Sequence, residues 1–229
     1  MYLPLGIASQ AIVANLHGAV DRIARSDSRR EASHRLAIAN GIAGLGFHFY
    51  NIAKRPGGVS WINLFYAAPL GAPAALSLSG ILGLLAERLR AGGATIGGLK
   101  PGRVVARLTA AGLLGTAGEA GLLHFRGAFH NPAMMVPVTA PPIAAMLLIQ
   151  STTSSRHSSA PARWSLRLLI AVGLIGSAFH AYGIQRNMGG WRNWSQNLLN
   201  GPPLPAPPAF TAWAIAGIGA LDLIEAETQ

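Results

Sequence analysis

Three histidines carry most of the chemistry that this sequence offers. His48 lies in Gly41-x-x-Gly44-x-x-Phe47-His48-x-Tyr50-x-Ile52, and His180 lies in Gly173-x-x-Gly176-x-x-Phe179-His180-x-Tyr182-x-Ile184, at identical internal spacing. A glycine pair follows each string, Gly57-Gly58 and Gly189-Gly190. A degenerate third copy has Ala117, Ala120 and His124 where the others have Gly, Gly and His, and Arg126 in place of the tyrosine; His130 follows shortly after. Imidazoles at one depth on two helices can be axial ligands of a haem b, and a glycine beside each leaves room for a flat macrocycle. His, Tyr and Arg can equally donate to a quinone carbonyl and manage its protons. The candidate cofactor-binding residues are therefore His48, His180, His124, Tyr50, Tyr182, Glu119, Arg126 and His130, with His48 and His180 as first choice. His48, His124 and His180 together are a weaker candidate for a metal site, because neutral imidazole suits Zn, Cu or Fe but no short His-to-His spacing within one helix supports it.

These residues need elements to position them, and composition names the solvent of those elements. Of 229 residues 51% are hydrophobic and only 11% charged, with 28 Gly and a mean hydropathy of +0.36. Globular domains carry about a quarter charged residues, so this deficit points to the bilayer. The net charge of +10 falls in short clusters between apolar runs, without the basic stripe and interleaved aromatics of a nucleic-acid surface. No nucleic-acid partner is expected. The absence of Cys excludes disulfides, thiolate metal sites and a cysteine nucleophile. Met1-Tyr-Leu-Pro4 lacks the basic start of a cleavable signal peptide, so the first segment is expected to be retained.

Each histidine string ends an apolar run, and each is followed by a proline string: Pro69-Leu-Gly-Ala72-Pro73, Pro137-Val-Thr-Ala140-Pro141 and Pro203-Leu-Pro-Ala206-Pro207. The expected fold is an all-α polytopic membrane bundle of six to seven transmembrane helices, built from a repeated pair of a His-ended and a Pro-started helix. The expected repeats are 33–90, 104–152 and 164–226, preceded by an extra helix at 4–21, in a single membrane domain spanning 1–229. The spans themselves are expected at 38–52, 69–89, 104–124, 137–151, 164–184 and 203–224, with the first helix lying on the surface in the six-span version. Proline is tolerated in a helix's first turn, which sets the start points at the proline strings. The arginine-rich stretch 22–35 is expected to be a polar connection, and Glu119 to interrupt its helix. Gly112, Gly115, Gly118 and Gly121 make one side of that helix nearly bare backbone, suited to close helix contact.

Positive charge in the connections orients the bundle. Stretches 22–35, 86–107 and 152–167 hold 5, 5 and 3 Lys and Arg, against 2, 1 and 2 in 54–68, 125–136 and 185–202. The richer side is cytoplasmic. The three His-ended helices then run outward, with the amino terminus external and the carboxyl terminus cytoplasmic. The Ala-, Gly- and Arg-rich composition favours a bacterial chain, for which the expected location is the inner membrane and the external side is the periplasm.

No nucleophile elbow, phosphate loop, zincin helix or dinucleotide-binding string survives inspection. The leading functional expectation is a membrane subunit that anchors an extracytoplasmic oxidoreductase on loops 54–68, 125–136 and 185–202. It would pass electrons to quinone through haem b or a quinone site. Small-solute transport, or a purely structural anchor without cofactor, is the alternative. Trp191, Trp194, Arg186 and Arg192 in the last of those loops suit either a docking surface or an interfacial aromatic belt.

Overall fold

The computed structural model describes residues 2–20, 27–153 and 159–227. Among them there is no strand, only one isolated bridge between Ile96 and Leu99. The helices are α1 (Tyr2–Val20), α2 (Ser28–Ala53), α3 (Trp61–Phe65), α4 (Gly71–Arg90), α5 (Pro101–Arg126), α6 (Val136–Thr153), α7 (Ala160–Gln185), α8 (Trp194–Asn200) and α9 (Pro208–Ala226), with single 3-10 turns at Pro132–Met135 and Gly190–Asn193. They fall into two compact units, Met1–Lys100 and Pro101–Gln229. In the first, α1 and α4 both pack on α2; in the second, α5 and α7 each pack on α6 and on α9.

Among the described residues four helices are long and apolar enough to cross a membrane: Gly71–Arg90, Pro132–Thr153 (α6 with its leading turn), Ala160–Gln185 and Pro208–Ala226. At about 1.5 Å per residue, 20 residues cover roughly the 30 Å of a hydrocarbon core. Charged residues set α2 and α5 apart. α2 begins with Arg29, Arg30, Glu31 and Arg35, while α5 carries Arg103, Arg107 and Glu119.

The packing is that of a membrane bundle. Among the described residues twelve of the twenty-one buried hydrophobic ones are alanines, whereas Phe47, Phe49, Ile42, Leu168, Leu174, Ile175 and Ile215 stand exposed. Small residues inside and large ones outside is the arrangement expected where lipid solvates the outer face and close backbone approach holds the helices together. Glycines form the seams. A Cβ on Gly41 would collide with Ser77 and the Pro73 carbonyl, and one on Gly44 would come within 2.9 Å of Pro73 Cβ. In the second unit Gly173 meets Thr211 and the Pro207 carbonyl, and Gly176 would come within 2.8 Å of Pro207 Cβ. The hydroxyls in these seams reach across: Ser77 Oγ donates to the Ile38 carbonyl at 3.3 Å and Thr211 Oγ1 to the Ile170 carbonyl at 3.0 Å.

Three expectations need correction. The stretch 22–35 is not wholly a connection. From Ser28 onward it is the start of α2, because Asp27 accepts from the Arg29 and Arg30 amides and Glu31 pairs with Arg35 one turn on; residues 21–26 lie outside the described part. Pro69 and Pro203 do not open helices. They precede α4 and α9, which begin at Gly71 and Pro208. Glu119 does not interrupt α5, which runs unbroken to Arg126. Of the α5 glycine stripe, Gly112 receives the Trp213 ring and Gly121 faces Val138, while Gly115 and Gly118 have open space before them.

The seam predicts an asymmetric response to the smallest substitution. Gly41→Ala and Gly173→Ala force backbone apart and should each lower the melting temperature in mild detergent, at a cost of about 1–3 kcal/mol. Gly46→Ala, with nothing within 4 Å of the new Cβ, should leave it unchanged or slightly raised. Equal melting temperatures for Gly41→Ala and Gly46→Ala would show that the seam is not closed.

Candidate functional site

Each of the three expected histidines is held in the same way. His48 Nδ1 lies 2.7 Å from the Pro69 carbonyl oxygen, His124 Nδ1 3.0 Å from that of Met134, and His180 Nδ1 2.7 Å from that of Pro203. A carbonyl only accepts, so Nδ1 carries the proton and Nε2 keeps its lone pair. Each carbonyl belongs to the segment leading into the next long helix, so the helix pairing itself orients the ring. All three imidazoles are half-buried.

His124 and His180 belong to the second unit. His48 belongs to the first unit. The His124 ring also meets Phe129 edge-on, with centroids 6.1 Å apart and planes at 79°. Phe129 and its predecessor Ala128 both have left-handed backbone, with φ of 47° and 56°. Such residues cost roughly 1–2 kcal/mol each, and here the turn is closed by the Phe129 amide donating to the His124 carbonyl at 3.0 Å.

The other expected site residues surround these rings unevenly. Tyr50 and Tyr182 are exposed, each beneath a cation: Lys54 Nζ lies 5.2 Å from the first ring centroid and the Arg186 guanidinium 5.8 Å from the second. His130 is exposed and tied to its own loop through Gly127 O at 3.0 Å. Glu119 is half-buried in α5, and Arg126 is exposed at its end. Among the described residues no three His, Asp or Glu side chains come close enough together to share a metal ion.

The loops after α2 and α7 are built platforms. Asn63 Nδ2 donates to the carbonyls of Pro56 and Gly58, and Asn197 Nδ2 to those of Met188 and Gly190. These latches hold α3 and α8, from which Trp61, Ile62, Trp194 and Leu199 stand out exposed.

A second polar cluster, which sequence reasoning missed, lies at the opposite end of α2. Glu87, only 3% exposed, accepts from Arg30 Nε at 2.9 Å and from the Asp27 amide at 3.0 Å, and Arg90 Nε lies 3.4 Å away. His34 is buried beside them, its ring laid on Gly83 and its Nδ1 without a hydrogen-bond partner. The signal in the sequence was that Glu87 is the sole acid between Glu31 and Glu119. Next to the cluster is an open cavity of about 480 Å³ lined by His17, Val20, Asp27, Arg29 and Arg30.

No protein-family model, curated protein or solved structure matches the chain. Function is therefore argued from these geometries.

Breaking the buried ion pair should be costly. Glu87→Ala leaves Arg30 buried without its carboxylate and should lower stability by roughly 3–5 kcal/mol. Replacing both, Arg30→Met with Glu87→Leu, should cost less; thermal unfolding of the two variants compares them directly. Asp27 gives a pH dependence. The two amides it accepts hold its carboxyl below the usual range, with the Arg30 and Arg29 charges adding to the effect. Its contribution is complete above the unfolded carboxylate's value, about 3.9, and is lost as pH falls through the lower folded value. Asp27→Asn, which keeps a cap but cannot titrate, should flatten the acid limb of the stability curve; an unchanged limb would rule out Asp27 as its source.

Proposed function

We propose that this chain is the membrane-embedded subunit of a redox complex, anchoring an extracytoplasmic oxidoreductase and passing its electrons to quinone in the lipid. The observation that carries this reading is the threefold imidazole arrangement. Three rings at the carboxyl ends of α2, α5 and α7 have Nδ1 committed to a backbone carbonyl and Nε2 left with a lone pair. A hydrogen bond on the far nitrogen, fixing tautomer and orientation, is what ligand histidines require. The same atoms suit a quinone carbonyl when Nε2 is protonated.

In this reading the seven long helices are seven spans, α1 followed by three pairs, α2 with α4, α5 with α6 and α7 with α9. Positive charge concentrates at the ends of the pairs away from the three histidines, which makes the histidine side periplasmic and the carboxyl terminus cytoplasmic in an inner membrane. The latched loops with their exposed Trp and Arg are the docking surface for the partner, because Trp and Arg dominate the energetic centres of protein interfaces. The reaction is electron relay. The partner's centre loses one electron at a time, and two such electrons with two protons convert a quinone to its quinol.

Because the chain has no Cys, single cysteines map its sidedness cleanly. Val59→Cys and Ser195→Cys should react with an impermeant maleimide on intact spheroplasts, and Ala94→Cys only after lysis. The same purified protein, in mild detergent, should carry haem or quinone by its dithionite-reduced minus oxidised spectrum and extraction. Neither cofactor present would overturn the redox reading and leave transport, for which the cavity beside Arg29 and Arg30 is the place to look, as measured by uptake in proteoliposomes.

A further inference from the structure

The basic end of the first unit holds a cavity whose walls combine phosphate-binding groups with hydrocarbon. α2 and α4 are tied together there by Glu87, which accepts from Arg30 Nε at 2.9 Å and from the Asp27 amide at 3.0 Å, with Arg90 Nε 3.4 Å away. α1 joins them at Gly18, where an added Cβ would come within 3.0 Å of Arg90 Nη2. Beside this frame lies the open cavity of about 480 Å³, a size within the range of about 300–1,000 Å³ usual for ligand pockets. His17, Val20, Asp27, Arg29 and Arg30 line it. Arg30 is buried, whereas Arg29 and His17 are exposed, and neither of those two side chains has a hydrogen-bond or ion-pair partner among the described residues. Asp27 commits its Oδ1 to the Arg29 and Arg30 amides, at 2.7 and 3.3 Å. Arg29, Arg30 and Arg90 against Asp27 and Glu87 leave one net positive charge, and Arg29 is its exposed member.

We propose that this cavity holds the phosphate of an anionic glycerophospholipid, with Arg29 as the principal ligand, His17 as a second donor, and an acyl chain lying along Leu16 and Val20 of α1. The depth fits this occupant. Arg90 closes the candidate span Gly71–Arg90, so the cavity lies where the headgroups of a bilayer begin. The wall fits it as well. Leu16 and Val20, four residues apart on one face of α1, are 61% and 77% exposed, and a soluble phosphate would gain nothing from them. A guanidinium fork matches phosphate oxygens, and basic pockets between helices on the cytoplasmic side take anionic headgroups. In the orientation proposed above this end of the chain is cytoplasmic. A cation would be repelled by Arg29 and Arg30, and among the described residues no Phe, Tyr or Trp lines the cavity to stack a nucleobase. The lipid site needs the membrane and is independent of electron transfer.

The test is the full chain, delipidated in mild detergent, as wild type, Arg29→Gln and Arg107→Gln, with lipid binding read by native mass spectrometry and by the shift in melting temperature. Arg29→Gln keeps the α2 cap, because Asp27 accepts from the main-chain amide of residue 29 and not from its side chain. Arg107 is an exposed arginine of the second unit. Wild type should bind phosphatidylglycerol in preference to phosphatidylcholine. Arg29→Gln should weaken phosphatidylglycerol binding about tenfold or more, the effect of losing a hydrogen bond to a charged group, and Arg107→Gln should match wild type. Equal affinity of the wild type for the two lipids, or equal phosphatidylglycerol binding by wild type and Arg29→Gln, would overturn the proposal. So would an Arg107→Gln loss as large as that of Arg29→Gln, which would show diffuse attraction to basic protein. Inorganic phosphate and glycerol 3-phosphate distinguish the sources of the anion. Neither should displace the lipid at equal concentration; displacement by either would make the occupant a soluble phosphate and overturn the lipid.

Discussion

An imidazole at the end of one helix can reach the carbonyl leading into the next long helix only if the two helices lie close, and they lie close only where side chains are missing between them. Gly41 and Gly44 on α2, and Gly173 and Gly176 on α7, supply that absence, each pair facing a proline one turn into the neighbouring segment. Everything else at the histidine end depends on it. The carbonyls of Pro69 and Pro203 sit where Nδ1 can donate because Pro73 and Pro207, four residues on, are already pressed into the glycine gap. In lipid there is little hydrophobic force between helices, so contact of this kind and the Ser77 and Thr211 hydroxyls that bridge it hold the pairs together.

The α5 and α6 pair reaches the same histidine geometry by other means. Ala117 and Ala120 replace the glycines, and the carbonyl comes from Met134 within a 3-10 turn that Asn131 caps. The connection here is the shortest of the three, 127–135 against 54–70 and 186–207, and it holds the left-handed Ala128 and Phe129 that bring an aromatic edge against His124. Loss of one constraint was thus accompanied by an added one, and the ring most altered in sequence is the most buttressed in space.

The two units differ at the ends away from the histidines. In the first, Glu87 is buried between Arg30 and Arg90 with His34 alongside; in the second, Arg163 bonds to Asp222 at 2.7 Å and to Glu225 at 3.0 Å nearer the surface. A buried charge needs its partner far more than an exposed one does, so the first cluster, which joins α2 to α4, is costlier to break than the second, which joins α7 to α9.

Much of the organisation was legible in the residues themselves. Low charge, the apolar runs and the matched spacing of the histidine strings announce helices with small-residue seams, because helix period and lipid solvation act locally and leave a composition signature. The choice of His48, His124 and His180 as the chemically interesting residues came from the same spacing. What the chain alone did not decide is partnership. Nothing along the sequence says that Pro69 and Pro203 present carbonyls instead of starting helices, that Arg29 and Arg30 lie on α2, or that Glu87 meets Arg30 across 57 positions. Those facts arise when helices pack, since which side chains meet is set by the depth to which one backbone can sink against another.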